Sequence, residues 1–264
     1  VRLARTVVTA AMNFSSRHGS SHASALTFYT LLSIVPLAAM AFGVAKGFGF
    51  EQLLEKELLK HFAAQQEVVL QVIEFARNML DNTKGGLVAG IGVAVLFWSV
   101  IKVLGKIEDN FNQIWSVPSR SLVRKFTDYL SIMIIGPVLL IMSSSVTVFI
   151  ASQVSAISSQ VGLENVATPA ISLGLSLAPY VLLWLLFTVV YMIMPNTRVH
   201  LGSAFLAAVL AGSAYQVLQI GYVKFQIYVT SYNAIYGSFA ALPLFLLWLQ
   251  LSWTIVLFGA QIAH

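Results

Sequence analysis

Cysteine is absent from the 264-residue chain. That excludes disulfides, thiolate metal sites and a cysteine nucleophile, and it leaves the compartment unreadable from redox chemistry. Charge is nearly as scarce. Asp, Glu, Lys and Arg make up 9% of the residues, against about 25% in an ordinary soluble domain. A globule of this size could not cover its surface with so few polar groups. Hydrophobic residues fill 58% of the chain and the mean hydropathy is +0.83, so lipid has to serve as the solvent. A phosphate-binding glycine loop with lysine is missing, and so is any paired-carboxylate motif. The expectation is an integral membrane protein that is not an enzyme and carries no cofactor.

What is present is a series of apolar runs: Ala23–Ala45, Gly86–Leu104, Tyr129–Ala151, Ala170–Met194, Leu201–Val223 and Ser238–Ile262. Each is long enough to cross a hydrocarbon core about 30 Å thick at about 1.5 Å per residue. The predicted fold is an all-α polytopic bundle of about six transmembrane helices, one domain over residues 1–264. No short cleavable signal pattern precedes the first run, which is expected to act as its own insertion signal. No Asp, Glu, Lys or Arg sits in the middle of a predicted span, and this counts against proton or sodium coupling through an intramembrane carboxylate.

The net charge is +5. In a soluble protein this would point to nucleic acid. Here the basic residues gather beside spans, as they do in cytoplasmic loops facing anionic lipid, so no nucleic-acid partner is expected. Arg2, Arg5, Arg17, Lys102, Lys106, Arg120, Arg124, Lys125 and Arg198 fall on one side if the N-terminus is inside, whereas residues 152–169 hold no Lys or Arg. Both termini are therefore expected in the cytoplasm.

Residues 47–85 form a long extracytoplasmic connection in this topology. Leu53, Leu54, Leu58, Leu59 and Phe62 recur at helical spacing, and so do Val68, Val69, Val72, Ile73, Ala76, Met79 and Leu80. Both stretches read as amphipathic helices too polar to span. They would lie in the interface or, the slightly favoured reading, cap the bundle.

Within the spans, Pro36, Gly136-Pro137, Pro179 and Pro243 each free a backbone carbonyl and can kink a helix. Together they point to a bundle with an internal cavity. Candidate cavity or gate residues are Tyr29, Ser33, Pro36, Glu108, Asn112, Gln216, Gln219, Tyr232, Asn233 and Tyr236. Gln216 and Gln219 share a helix face and are expected to look inward, since amides are costly in hydrocarbon. His18 and His22, one turn apart, lack a carboxylate or third ligand nearby, so an interfacial pair is favoured over a zinc site.

The densest polar stretch runs from Lys106 to Trp115, followed by Arg120, Arg124 and Lys125 beyond Pro118. Two readings are open. The favoured one is an interfacial helix anchored by Trp115, with basic residues at lipid headgroups. The other is a cytoplasmic gate or a headgroup site at Arg120, Arg124, Lys125 and Arg198.

The chain resembles the YihY/BrkB family of bacterial inner-membrane proteins, once labelled ribonuclease BN. The resemblance rests on Ala25 to Pro36, on Ile107-Glu108 through Trp115, on Pro195-Asn196-Thr197-Arg198-Val199, on Ser231 to Gly237, and on Trp248 and Gly259-Ala260-Gln261. It implies six transmembrane helices with both ends cytoplasmic, an association with virulence, and movement of a lipid or other envelope amphiphile. The ribonuclease label finds no residue set able to activate water or a 2′-hydroxyl. Many relatives carry Glu where Gln216 and Gln261 stand, and a basic residue where Gln219 stands. Membrane lipids are the expected partners of a transporter or flippase. The alternative is a non-catalytic scaffold for an envelope complex, with protein partners or a second copy of itself.

Overall fold

The computed structural model describes residues 2–62, 65–81, 86–130, 180–231 and 241–264. Among these the regular elements are helical, with no strand. They are α1 (Arg2–Ser16), α2 (Gly19–Gly47), α3 (Glu51–His61), α4 (Gln66–Asp81) and α5 (Gly86–Trp115), then α6 (122–130) and α7 (Tyr180–Ile193), then α8 (Leu201–Ser231) and α9 (Ala241–Ala263). Gly19–Gly47, Leu201–Gln226 and Leu242–Ala263 are each long and apolar enough to cross a membrane. The chain is an all-α polytopic membrane protein. The predicted second span is covered by α5, which continues to Trp115. Most of the third span and the start of the fourth lie outside the described residues.

Small residues set the tightest packing. Ala204, Ala207, Ala208 and Ala211 of α8 bury against Leu257 and Ala260 of α9 and Tyr191 of α7, letting the backbones approach closely as membrane helices do. Gly259 has no room for a side chain, because a Cβ there would collide with the Tyr191 hydroxyl and lie 2.6 Å from the Ala211 Cβ. Polar groups pin α2 to α9. The Thr27 hydroxyl donates to Gln250 Oε1 at 3.0 Å, and Trp253 Nε1 donates to Thr30 Oγ1 at 3.0 Å. Helix α2 runs unbroken through Pro36.

The first helix, α1, is an element the hydropathy pattern does not reveal. It turns Val7, Ala10 and Phe14 onto the bundle, and Phe14 meets Phe258 edge-on at 5.8 Å. The chain reverses at His18, whose φ is 53°, and the next residue is Gly19 because any Cβ would strike the Phe14 ring.

The two amphipathic stretches form α3 and α4. Leu54, Ile73 and Ala76 bury against Ala39, Phe42 and Ala45 of α2, so the pair covers the end of α2. Arg77 holds α4 to α3 by bonding Glu51 at 3.2 Å and Glu55 at 2.6 Å, and its guanidinium stands 5.7 Å from the Phe42 ring. Partial burial works against the Arg77 charge, but Glu55 and Glu51 outweigh it and raise the pKa above the usual value.

Candidate functional site

The end of the bundle opposite α3 and α4 gathers the polar side chains. Helix α5 stops at a left-handed residue, Ser116, with φ 52°. The Val117 N–H bonds back to the Asn112 carbonyl at 2.9 Å and the Ser116 N–H to the Gln113 carbonyl at 3.3 Å, the 6→1 and 5→2 pair that closes many helices. Arg17 completes this terminus by donating to the carbonyls of Ile114 at 3.1 Å and Gln113 at 3.4 Å. A cation there also suits the helix dipole.

The turn that follows brings Arg120 back over α5, and Glu108 becomes the hub of a buried knot. Its side chain is wholly enclosed. Oε1 accepts from Asn112 Nδ2 and from the Arg120 backbone N–H, each at 2.9 Å. Oε2 accepts from the Tyr129 hydroxyl and lies 3.6 Å from Arg120 and 3.8 Å from Lys125. Lys125 also reaches Asp109 at 3.3 Å, and Asp128 pairs with Arg120 at 3.6 Å and Arg124 at 3.8 Å. Three carboxylates thus face three cations, and the charges within the knot balance.

The knot ties α5 to the end of α7. Arg120 donates to the carbonyls of Ile193 at 2.6 Å, Met194 at 3.1 Å and Pro195 at 3.3 Å, caring for carbonyls that a helix C-terminus leaves without partners. Asn112 Oδ1 accepts from the Asn196 N–H at 2.7 Å, and Asn196 Nδ2 donates to the Pro118 carbonyl at 2.9 Å. Two of the sequence segments that carry the family resemblance therefore meet here.

Beside the knot lie two clefts that share His22, Asn110 and Gln113. One, of about 310 Å³, adds Arg17 and Gln261. The other, of about 410 Å³, adds Tyr29, Lys106 and Asn112. The Lys106 ammonium stands 5.8 Å from the Tyr29 ring, and Asn110 Oδ1 is buried without a partner. Amides, an aromatic hydroxyl, the His22 imidazole, two cations and the Asp109 carboxylate, itself paired with Lys125, line this end, a set of donors and acceptors suited to a polar headgroup. Among the described residues no group of three or more His, Asp or Glu is placed to hold a metal ion.

The residues singled out in sequence divide. Tyr29 and Asn112 line a cleft, and Glu108 is the hub. Of the headgroup candidates, Arg124 and Arg198 are exposed, whereas Arg120 and Lys125 turn inward to Glu108. Ser33 returns its hydroxyl to the carbonyl of Tyr29 at 2.8 Å, a local bond that costs the helix little. Pro36 and Gln216 are half-buried. Gln219 faces α9 and accepts from Trp248 Nε1 at 2.8 Å. Tyr232, Asn233 and Tyr236 lie outside the described residues. Arg17 was not singled out for the site, and His22, Asn110, Gln113 and Lys106 were noted in the His18–His22 pair or the Lys106–Trp115 stretch without being named as cavity or headgroup residues; that they share clefts becomes legible only once the helix ends meet.

Comparison with known proteins gives the chain's relations. Residues 10–264 match the family described as Virulence factor BrkB. Among curated proteins, a UPF0761 membrane protein of Paraburkholderia xenovorans is 32% identical over 246 residues, covering 91% of this chain and 55% of that one. One from Mannheimia succiniciproducens is 30% identical, covering 91% and 82%, and one from Haemophilus influenzae is 30% identical, covering 95% and 90%. The chain thus spans about half the length of the Paraburkholderia relative and most of the other two. No solved structure matches it.

Proposed function

Because the chain belongs to the BrkB virulence-factor family of membrane proteins, we propose that it binds the headgroup of an anionic envelope lipid and moves or holds that lipid in the bacterial inner membrane, without catalysing a covalent change. In this reading both termini and the knot face the cytoplasm. The observation that carries it is the pair of clefts beside the knot, where Lys106 and Arg17 stand among the amides of Asn110, Asn112, Gln113 and Gln261, with Asp109, itself paired with Lys125, as the one carboxylate of their lining, while Phe28 and Leu32, on the same helix as Tyr29, remain exposed. A headgroup in the cleft would leave its acyl chains against apolar helix.

Binding tests this reading. The purified chain, presented with equal phosphatidylglycerol and phosphatidylcholine, should retain the anionic lipid preferentially in native mass spectrometry. Lys106→Gln should weaken that retention by about fivefold, the worth of one basic residue near an anionic surface, while Arg2→Gln should not. Equal retention of the two lipids by the unaltered chain would overturn it. The scaffold reading draws instead on Phe48, Leu70 and Phe75, exposed on and beside α3 and α4. It predicts loss of a co-purifying partner when Phe75 and Leu70 become Ser, with lipid retention unchanged.

A further inference from the structure

Helix α5 carries an outward stripe unlike that of α7. From Trp98 to Trp115 its exposed residues are Trp98, Lys102, Lys106 and Gln113, spaced so that they share one helix face. On α7 the exposed surface is apolar, and Leu186, Val189 and Ile193 remain exposed up to its last turn. The hydrocarbon therefore extends as far as the knot, where Arg120 holds the Ile193 carbonyl. Through Arg120 and Asn112 the knot sets the end of α7 level with Glu108 and Asn112. Lys102 lies six to ten residues farther along α5, about 9–15 Å deeper. The apolar run ends at Leu104, which predicts Lys102 at a span end; α5 continues to Trp115, and the lysine falls inside the membrane.

Snorkelling does not account for its position. A snorkelling ammonium would turn toward the knot, the nearer polar end. That of Lys102 stands 5.7 Å from the Trp98 ring, one turn farther in, the direction in which side chains lean toward a helix N-terminus. Among the described residues neither Lys102 nor Lys106 pairs with a carboxylate; Asp109, one turn from Lys106, is held by Lys125 at 3.3 Å. A cation inside the membrane without a counterion is costly, and such residues mark ligand or ion pathways. We propose that Lys102 is a second binding site for the phosphate of an anionic lipid, one turn deeper than Lys106, so that a headgroup passes from the cleft along the α5 stripe while its acyl chains stay in the bilayer. This site rests on the lipid-binding reading of the clefts and extends it into the membrane. The phosphate supplies the counterion that Lys102 lacks. A free phosphate would have to shed its water to enter hydrocarbon, whereas a lipid is already anchored there.

Trp98 is a built-in reporter of the site. The experiment uses the full chain in phosphatidylcholine nanodiscs with an anionic phosphodiester lipid bearing a nitroxide on its headgroup, which quenches nearby tryptophan. A zwitterionic choline lipid with the same nitroxide serves as the comparison. The share of quenching that Trp98→Phe removes should half-saturate at a mole fraction of anionic lipid about fivefold below that of the choline lipid, the worth of one basic residue beside an anionic head. Lys102→Gln should bring the two lipids together, and Lys102→Arg should keep them apart. Equal half-saturation in the unaltered chain, no quenching of Trp98 by the anionic lipid, or a preference that survives Lys102→Gln or is lost in Lys102→Arg would each overturn the proposal. Retention in the cleft is read separately, through Lys106→Gln. Retention without quenching of Trp98 rejects the deeper site and leaves the cleft standing, whereas equal retention of the two lipids rejects the cleft whatever Trp98 reports.

Discussion

The two ends of this bundle solve the problem of buried polar atoms in opposite ways. At the α5 end, Glu108 is wholly enclosed, yet each of its oxygens has partners, and the surrounding charges cancel. At the α3–α4 end, the Gln65 amide is enclosed and neither its nitrogen nor its oxygen has a hydrogen-bond partner. The knot, with Glu108 bonded at both oxygens, fixes helix ends in register, whereas the Gln65 amide carries its desolvation cost with no hydrogen bond to offset it. Polarity inside a membrane protein therefore does not by itself mark a site of action.

Substitution should expose this contrast, and the largest effect belongs to the hub. Glu108→Ala leaves two carboxylates, Asp109 and Asp128, against three cations and unpairs the Tyr129 hydroxyl and the Arg120 N–H, and removing one member of a buried charged set costs about 3–5 kcal/mol. Thermal unfolding in detergent should show a large loss. Gln65→Leu removes an unpaired amide of similar size and should leave the protein unchanged or more stable. Equal destabilisation by the two would erase the distinction between the ends.

Next in size is Arg120→Lys, which keeps the charge but cannot fork across the three carbonyls at the end of α7. Loss of charged hydrogen bonds of this kind costs about 1.5–3 kcal/mol, and Arg120→Gln should be at least as damaging. If Arg120→Lys melts like the unaltered chain, the capping role is wrong. Gly259→Ala should cost about 1–3 kcal/mol through overpacking against Tyr191, and Tyr191→Phe in the same chain should recover part of it by removing the hydroxyl that the new methyl would strike. The smallest expected effect is at α3–α4. Arg77 is partly exposed, so Arg77→Ala should cost less than about 1 kcal/mol, as read from the same unfolding curves.

Much of the fold was legible in sequence because a membrane span announces itself. The runs at Ala23–Ala45 and Leu201–Val223 fall inside α2 and α8, and the run at Ser238–Ile262 overlaps nearly all of α9. The boundary at Val223 came too early, since Lys224 and Gln226 are good helix formers and α8 continues to Ser231. The periodic leucines and valines of residues 53–80 predicted α3 and α4 for the same reason. Helix α1 was not legible, because Val7, Ala10 and Phe14 make too thin a stripe to distinguish from a polar leader. The site was less legible than the fold. Glu108, Asn112 and Tyr29 stood out by type, but Arg17 reaches Gln113 and Ile114, and Arg120 reaches Ile193 to Pro195, across long stretches of chain. Their pairing depends on which helix ends the bundle brings together, and one sequence carries no record of that. Arg120 and Lys125 look in sequence like the exposed Arg124; only packing turns them inward.

The proposal that the polar end handles anionic lipid is tested most directly by reconstituted transbilayer movement of a labelled anionic lipid, at matched protein density. The unaltered chain should accelerate movement over protein-free liposomes. Lys106→Gln, in the cleft, and Arg124→Gln or Arg198→Gln, the exposed cations near it, should each slow it well beyond Arg2→Gln. Movement no faster than in protein-free liposomes, or equal slowing by all four substitutions, would contradict the account and leave only nonspecific surface charge.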